Sequence, residues 1–265
     1  MRVLMVGGGS GGGSGNAGGG GSGHVQIAEI DIQTGSNFSL TIGRGGRGST
    51  FKLNDSSQNA LPGGQSSFGA YLKAEGGVGS NPFPCSFTGT TGGSGGGAGC
   101  SGSCWSGNGG SGGSQGNNSK TGVSLGPGFG QGIFLSNLSY FKLNSISAGE
   151  GGNGIVREFP GGGGGGGILI NRNGPNAKQG QNDGAYGGKG YGAGGGAGWV
   201  NRSSDGSQKY YYAGGDGADG LIYIEWWWDV IKDKRISFLS TESSKSGNLL
   251  INNNKYIIMY SIKQY

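Results

Sequence analysis

The chain has 265 residues, of which 70 are glycine, and its formal net charge is +5. The glycine share is several times the usual ~7%, and the apolar share of 32% is too small for an ordinary core of this length. The six prolines argue against collagen, whose triplets are rich in proline. A small positive charge favours only weak attraction to anionic surfaces.

The first predicted element is the strand RVLMV at residues 2–6, which runs directly into glycine. Gly7, Gly9 and Gly12 match the G-x-G-x-x-G spacing of a dinucleotide-binding turn. That turn requires a following helix, because the helix N-terminus holds the pyrophosphate. The residues that follow, GGGSGNAGGGGSG, cannot form one, since each glycine costs about 0.5–1 kcal/mol against alanine in a helix. The glycine therefore has another use.

Further strands are predicted along the chain from alternating or β-branched runs that adjoin glycine tracts. These runs are HVQIAEIDIQ, NFSLTIG, STFKL, GILIN and DGLIYIEW. They predict a small β-sheet at one end of the fold, from which the glycine tracts leave and to which they return.

The glycine tracts have a period of three. Glycine recurs at every third position from Gly9 to Gly21, from Gly93 to Gly102, from Gly107 to Gly116, from Gly184 to Gly190 and from Gly214 to Gly220. Three residues per turn is the period of the polyproline II helix. A glycine at every third position leaves one face bare, so a neighbouring helix can approach to backbone contact and pair its N–H groups. We expect structural roles for the glycines Gly96, Gly164, Gly187 and Gly217.

The predicted fold class is therefore mainly β and irregular, with almost no α-helix. A small β-sheet frames a bundle of short polyglycine II helices. After Gly220 the glycine nearly stops, which predicts a glycine-rich domain at 1–225 and a C-terminal β module at 226–265. Successive side chains of a strand alternate faces, so Trp226, Trp227 and Trp228 cannot all point inward. We expect them to dock this module on an assembly partner, with pairing to the scaffold's sheet as the alternative.

Motifs for chemistry are weak. GRGGRGS at 43–49 is similar to an RNA-binding RGG box, and the competing interpretation is a turn after a strand. GAYGGKGY at 184–191 lacks the serine or threonine of a P-loop. A zinc site would require His24 to meet Cys85, Cys100 and Cys104, and incidental cysteines are the simpler interpretation. No enzyme activity, cofactor or metal is predicted.

Aromatic residues between glycine tracts are the predicted receptor or partner contacts. They are Phe83, Tyr186, Tyr191, Tyr210, Tyr211 and Tyr212. Aromatic rings combine a large contact area with a polar handle, which suits both carbohydrate and protein surfaces. The same rings could instead cap the open ends of the bundle, where other apolar residues are scarce.

The order VLMVGGGSGGG, then HVQIAEIDIQTGSNFSLTIGRGG, then glycine tracts, then GGDGADGLIYIEW resembles the glycine-rich domain of bacteriophage tail-fibre proteins and adhesins. The resemblance implies a rigid core of stacked polyglycine II helices whose joining loops bind receptors on the host surface. It implies a virion protein, assembled in the host cytoplasm, whose partners are other fibre or capsid proteins and a host receptor such as an outer-membrane protein or glycan.

Two alternatives to the adhesin remain. One is a capsid or fibre component of a phage or large DNA virus without a receptor role, and the other is a glycine-rich RNA-binding protein. No specific nucleic acid is expected as a partner. No secretory signal or membrane span is predicted, because no apolar run is long enough.

Overall fold

The computed structural model describes residues 1–15, 17–31, 39–50, 59–79, 146–154, 162–202, 209–227, 245–252 and 255–262. Within these ranges the chain forms short β-strands and no α-helix, which confirms the predicted fold class. The strands in chain order are β1 (Arg2–Val6), β2 (Val25–Glu29), β3 (Leu40–Thr41), β4 (Ser66–Phe68), β5 (Leu72–Ala74), β6 (Ile146–Ala148), β7 (Ile168–Ile170), β8 (Val200–Arg202), β9 (Lys209–Tyr211), β10 (Leu221–Trp227), β11 (Lys245–Asn252) and β12 (Lys255–Ile262).

The main sheet is antiparallel and has the strand order β11-β12-β10-β1-β2. Its centre is buried on both faces, which explains why residues 3–6 of β1, VLMV, are apolar throughout rather than alternating. On one face Leu4 and Tyr223 pack with Ile168 of β7. On the other face Met5 and Ile222 pack with side chains of β4 and β5.

Between the strands the chain runs in extended glycine-rich segments, which we call rods. The described rods are 7–15, 17–24, 43–50, 60–64, 75–79, 149–154, 162–167, 175–180, 184–190, 192–199 and 212–220. The backbone of each rod bonds to the backbones of its neighbours rather than to itself.

Rod 7–15 has the hydrogen-bond pattern of a three-fold helix. Its N–H groups at positions 7, 10 and 13 donate to rod 17–24, those at 8 and 11 to rod 60–64, and those at 9, 12 and 15 to rod 212–220. Every third residue thus points in the same direction, as three residues per turn require. The predicted polyglycine II bundle is present in the described residues.

The C-terminal strands extend the main sheet. β12 pairs antiparallel with β10, with Glu225 opposite Ile257, and β11 pairs with β12. These strands are thus joined to the scaffold's sheet, and docking on an assembly partner stays a prediction. β10 continues to Trp227, two residues beyond the predicted boundary at 225. Trp228 lies outside the described residues, as do most of STFKL and Gly96.

Candidate functional site

The direction of the rods gives the bundle two different ends. Rod 7–15 leaves β1, and rod 43–50 runs parallel to it because Gly46 and Ser49 donate to Gly9 and Gly12. Rod 60–64 runs back, since Gly8 donates to Gly64 and Gly11 to Leu61. We call the end that carries the main sheet the sheet end and the opposite end the loop end.

The hydrogen bonds between rods show at which end of the bundle each rod begins and ends. The described chain enters and leaves the ranges 51–58, 155–161 and 203–208 at the loop end. It also turns there directly, between rods 7–15 and 17–24. Five connections between successive described rods are made at the loop end, and four, at 25–42, 65–74, 168–174 and 191, are made at the sheet end.

A β-hairpin stands at the loop end. β8 pairs with β9 so that Asn201 lies opposite Tyr210. Immediately below it, the rings of Trp199 and Tyr212 stack with centroids 6.4 Å apart and an interplanar angle of 13°. The Tyr212 N–H donates to the Trp199 carbonyl oxygen at 2.9 Å, which closes the base of the hairpin.

The structure brings together only some of the predicted contact residues. Tyr210, Tyr211 and Tyr212 lie in one hairpin, and Trp199, an aromatic residue of a glycine tract that was not among the predicted contacts, stacks on Tyr212. A sequence signal for this pairing exists: the runs WVNR at 199–202 and KYYY at 209–212 stand on either side of a short polar segment, and each has an aromatic residue next to a glycine tract. Both stacked rings are half-buried, as rings that cap the open end of a bundle would be.

The other predicted aromatic contacts lie elsewhere. Tyr186 is 55% exposed and lies on the side of the bundle. Tyr191 lies at the sheet end, where it packs against the core cluster and its N–H donates to the Ile168 carbonyl oxygen at 2.8 Å. Phe83 lies outside the described residues. Trp226 and Trp227 lie in β10, opposite Tyr256 and Lys255 of β12.

Two aspartates close one edge of the bundle. The N–H groups of Gly45 and Gly48 point outward from rod 43–50 and donate to the carboxylates of Asp219 and Asp216 at 2.7 and 2.9 Å. Burial raises the pKa of Asp219, against the opposing effects of the Gly45 hydrogen bond and the Arg44 charge. The two acidic side chains of GGDGADG thus accept hydrogen bonds from backbone N–H groups. Their spacing of three residues equals the spacing of Gly45 and Gly48 on rod 43–50.

The GRGGRGS segment forms an outer rod, so the interpretation as a turn was wrong. Its glycines Gly43 and Gly46 are buried against neighbouring rods, whereas Arg44 and Arg47 are exposed. The two arginines lie three residues apart, so they share one outward face. The arginine spacing therefore follows from the three-residue period.

The predicted structural glycines are closely enclosed where they are described. A Cβ atom at Gly164, Gly187 or Gly217 would lie under 3.0 Å from a backbone carbonyl oxygen of a neighbouring rod. Such approaches are not found for real Cβ atoms, so these positions admit only glycine.

The described residues contain no group of three or more histidine, cysteine, aspartate or glutamate side chains that could hold a metal ion. Cys85, Cys100 and Cys104 lie outside them. In the same part of the chain, no helix is long and apolar enough to cross a membrane.

Comparison with known proteins gives one finding. A family described as a glycine-rich domain matches residues 1–227. The match ends at the last residue of β10, so it spans the bundle together with the strands β1 and β10 that begin and end it. No curated protein and no solved structure matches the sequence.

Proposed function

Since the chain belongs to the glycine-rich domain family over residues 1–227, we propose that it is a non-enzymatic virion structural protein that presents loops for host-surface recognition. Its partners would be other fibre or capsid proteins and a host receptor, either an outer-membrane protein or a glycan. The likeness of its paired ends to tail-fibre adhesins supports a location in the virion.

One observation carries the proposal: the main sheet stands at one end of a hydrogen-bonded bundle, and the β8–β9 hairpin with its aromatic base stands at the opposite end. Along rod 7–15, eight of nine N–H groups are bonded to other rods, so the rod has little freedom to bend. A stiff support of this kind fixes the distance between an attachment end and a recognition end. The stacked pair Trp199 and Tyr212 holds the base of one hairpin at the recognition end.

The proposal is tested on virions that carry altered protein. Tyr210 and Tyr211 of β9, two of the predicted contact residues, are both replaced by serine. We expect virions to assemble normally and to adsorb to host cells at least about tenfold more slowly, because the recognition end carries most of the binding energy. Normal adsorption of these virions, and of virions lacking the protein altogether, would refute the proposal.

A matched control lies at the sheet end. Asn171 and Arg172 form an exposed turn with φ angles of 52° and 61°. Replacing both with glycine suits these backbone angles and changes two residues of an exposed turn at the other end of the bundle. Adsorption should stay at the wild-type rate in this control. Equal loss in both variants would attribute the effect to folding rather than to recognition.

The C-terminal strands favour a second candidate, a capsid or fibre component without a receptor role. β11 is the outermost strand of the main sheet, and it is eight residues long. An outer strand of this length offers a row of backbone groups to another chain. We expect a chain truncated after Glu225 to keep the glycine-rich fold but to lose incorporation into virions.

Two measurements on the truncated chain decide this point. Circular dichroism and thermal melting report whether residues 1–225 stay folded, and the protein content of purified virions reports incorporation. Unfolding of the truncated chain would make the C-terminal strands part of the core and would refute the docking role.

A further inference from the structure

The N–H groups of rod 43–50 point in three directions, because a three-residue helix repeats its orientation at every third position. One set of N–H groups donates inward to rod 7–15. A second set donates to the two carboxylates of the GGDGADG segment. The third set consists of the N–H groups of Arg44 and Arg47, which therefore point away from both of these neighbours.

The third set of N–H groups faces solvent. Arg44 and Arg47 are exposed, and neither of their N–H groups donates to a described residue. Their carbonyl oxygens accept from the N–H groups of Gly64 and Leu61, which holds both residues in the rod. A Cβ atom at Gly64 would lie 2.9 Å from the Arg44 nitrogen, so glycine at this position leaves the Arg44 N–H group uncovered. We call the two N–H groups and their two guanidinium groups the arginine strip.

The second set of N–H groups shows which ligand suits the arginine strip. The N–H groups of Gly45 and Gly48 donate to two aspartates that are themselves three residues apart. At a rise of about 3.1 Å per residue, three residues separate such groups by about 9 Å. The N–H groups of Arg44 and Arg47 have the same spacing, and their guanidinium groups form no ion pair with a described residue. The strip thus offers two carboxylates a charge-assisted bond each.

A second copy of this chain does not supply the two carboxylates. Among the fourteen acidic residues of the sequence, only Asp216 and Asp219 stand three positions apart. Both already accept from rod 43–50 of their own chain, and Asp216 also accepts from the Lys178 side chain at 2.7 Å. The matching pair of carboxylates therefore comes from a different protein.

We propose that the arginine strip docks an extended acidic segment of a partner protein, in which two carboxylates stand three residues apart. The segment lies along rod 43–50 as a further three-residue helix. Each of its carboxylates accepts from one backbone N–H group and pairs with one guanidinium group of the strip. A segment that already has this extended form loses little conformational freedom on binding. The proposal does not depend on a role in host recognition.

The test measures binding of a fluorescent peptide to the full chain by anisotropy. The probe is GGDGADG with blocked ends, which copies residues 214–220. We expect the probe to bind at least about tenfold more tightly than the uncharged peptide GGNGANG, because the uncharged peptide makes no charge-assisted hydrogen bonds. GGDDGAG has the composition of the probe but adjacent carboxylates. It should bind at least about threefold more weakly than the probe, because only one carboxylate at a time can then meet an N–H group.

Two variants separate the guanidinium groups from the backbone N–H groups. R44A/R47A removes both charges and keeps both N–H groups, so it should raise the Kd of the probe at least about tenfold. R44P/R47P removes the N–H groups as well and should raise the Kd about threefold more. Proline suits the backbone angles of a three-residue helix, and Pro62 already stands at an exposed position of rod 60–64.

The matched control is R172A/K189A, which loses the same two charges from exposed residues outside rod 43–50. In about 0.1 M salt, exposed charges more than about 10 Å away are largely screened. The Kd of the probe for this control should therefore stay close to that of wild type. Melting curves of all variants show whether any loss of binding reflects unfolding.

Four outcomes would overturn the proposal. The first is equal binding of the three peptides to the wild-type chain. The second is an R44A/R47A variant that binds the probe as well as the control variant does. The third is equal binding by R44P/R47P and R44A/R47A, which would show that the backbone N–H groups take no part. The fourth is tighter binding of an oligomer of galacturonic acid than of the probe, which would assign the arginine strip to an acidic glycan.

Discussion

Rod 7–15 and rod 43–50 are the same three-residue helix in two different surroundings. Rod 7–15 is bonded to rods 17–24, 60–64 and 212–220 through its N–H groups and to three further rods, 43–50, 75–79 and 192–199, through its carbonyl oxygens. All of its residues are buried. Rod 43–50 lies at the edge, and its exposed residues Arg44, Arg47 and Thr50 recur at every third position.

The comparison shows that glycine has two different roles in the bundle. An enclosed rod has another backbone on every side, so its positions accept only very small residues. Rod 7–15 accordingly reads GGGSGGGSG. Its serine at position 10 is accommodated because the Ser10 hydroxyl donates to the Gly21 carbonyl oxygen. In an outer rod only the inward positions are restricted. The number of consecutive small residues therefore indicates how far inside the bundle a rod lies.

The largest expected effect is that of a branched side chain in a rod with neighbours all round. In Gly164→Val, the new Cβ would lie under 3.0 Å from the carbonyl oxygen of Gly194, and neither backbone can move without breaking its own hydrogen bonds. We expect destabilisation at or above the ~3 kcal/mol upper end of ordinary overpacking. Thermal melting measures it, and an unchanged melting temperature would mean that this tract is a loop.

An intermediate effect is expected at an inward position of the outer rod. In Gly46→Ala, the added Cβ would meet the Leu61 carbonyl oxygen under 3.0 Å away, but rod 43–50 borders solvent and can shift outward. We expect a loss of about 1–3 kcal/mol in the free energy of unfolding. Chemical denaturation measures it. A loss as large as that of Gly164→Val would contradict the distinction between enclosed and outer rods.

The edge carboxylates should show both a stability effect and a pH effect. Asp219→Ala leaves the Gly45 N–H without its acceptor and should cost about 1–3 kcal/mol. Since burial raises the pKa of Asp219 above its ordinary 3.8, its ionisation is less favourable in the folded chain than in the unfolded one. Its contribution to stability is thus full below pH 3.8 and is lost as the pH rises through the raised pKa.

Asp219→Asn separates the two effects. The carboxamide oxygen can still accept from Gly45, and it does not ionise. We expect the stability of this variant relative to wild type to increase as the pH rises from 3.8 towards neutral. Denaturation at several pH values measures the difference. Parallel pH profiles for the two proteins would show that Asp219 does not titrate differently on folding.

The smallest effect is expected at an outward position of the same outer rod. Arg47→Ala removes an exposed side chain and keeps the backbone bond to Leu61, so stability should change by less than about 0.5 kcal/mol. The measurement is made in dilute protein that is monomeric by sedimentation. A loss equal to that of Gly46→Ala would show that outward and inward positions are equivalent and would refute the comparison.

Local pattern accounts for the parts of the fold that were predicted. The apolar runs at 2–6 and 221–227 are strands because apolar β-branched residues fit a buried sheet, and the three-residue glycine period predicted the rods. The stacking of Trp199 on Tyr212 was not predicted because the two residues are thirteen positions apart, and only the pairing of β8 with β9 brings the two rings together.

The sequence by itself determined that the chain avoids α-helix and packs backbone against backbone, because glycine disfavours the helix and leaves room for close approach. Only the tertiary structure decided which rods are enclosed and which lie at the edge. That depends on the order in which rods stack, and hydrogen bonds between glycine backbones have no side chains to encode a choice of neighbour. Rod 43–50 is an exception, because side chains do distinguish its position at the edge: Asp219 accepts from its Gly45 N–H, and its own Arg47 is exposed.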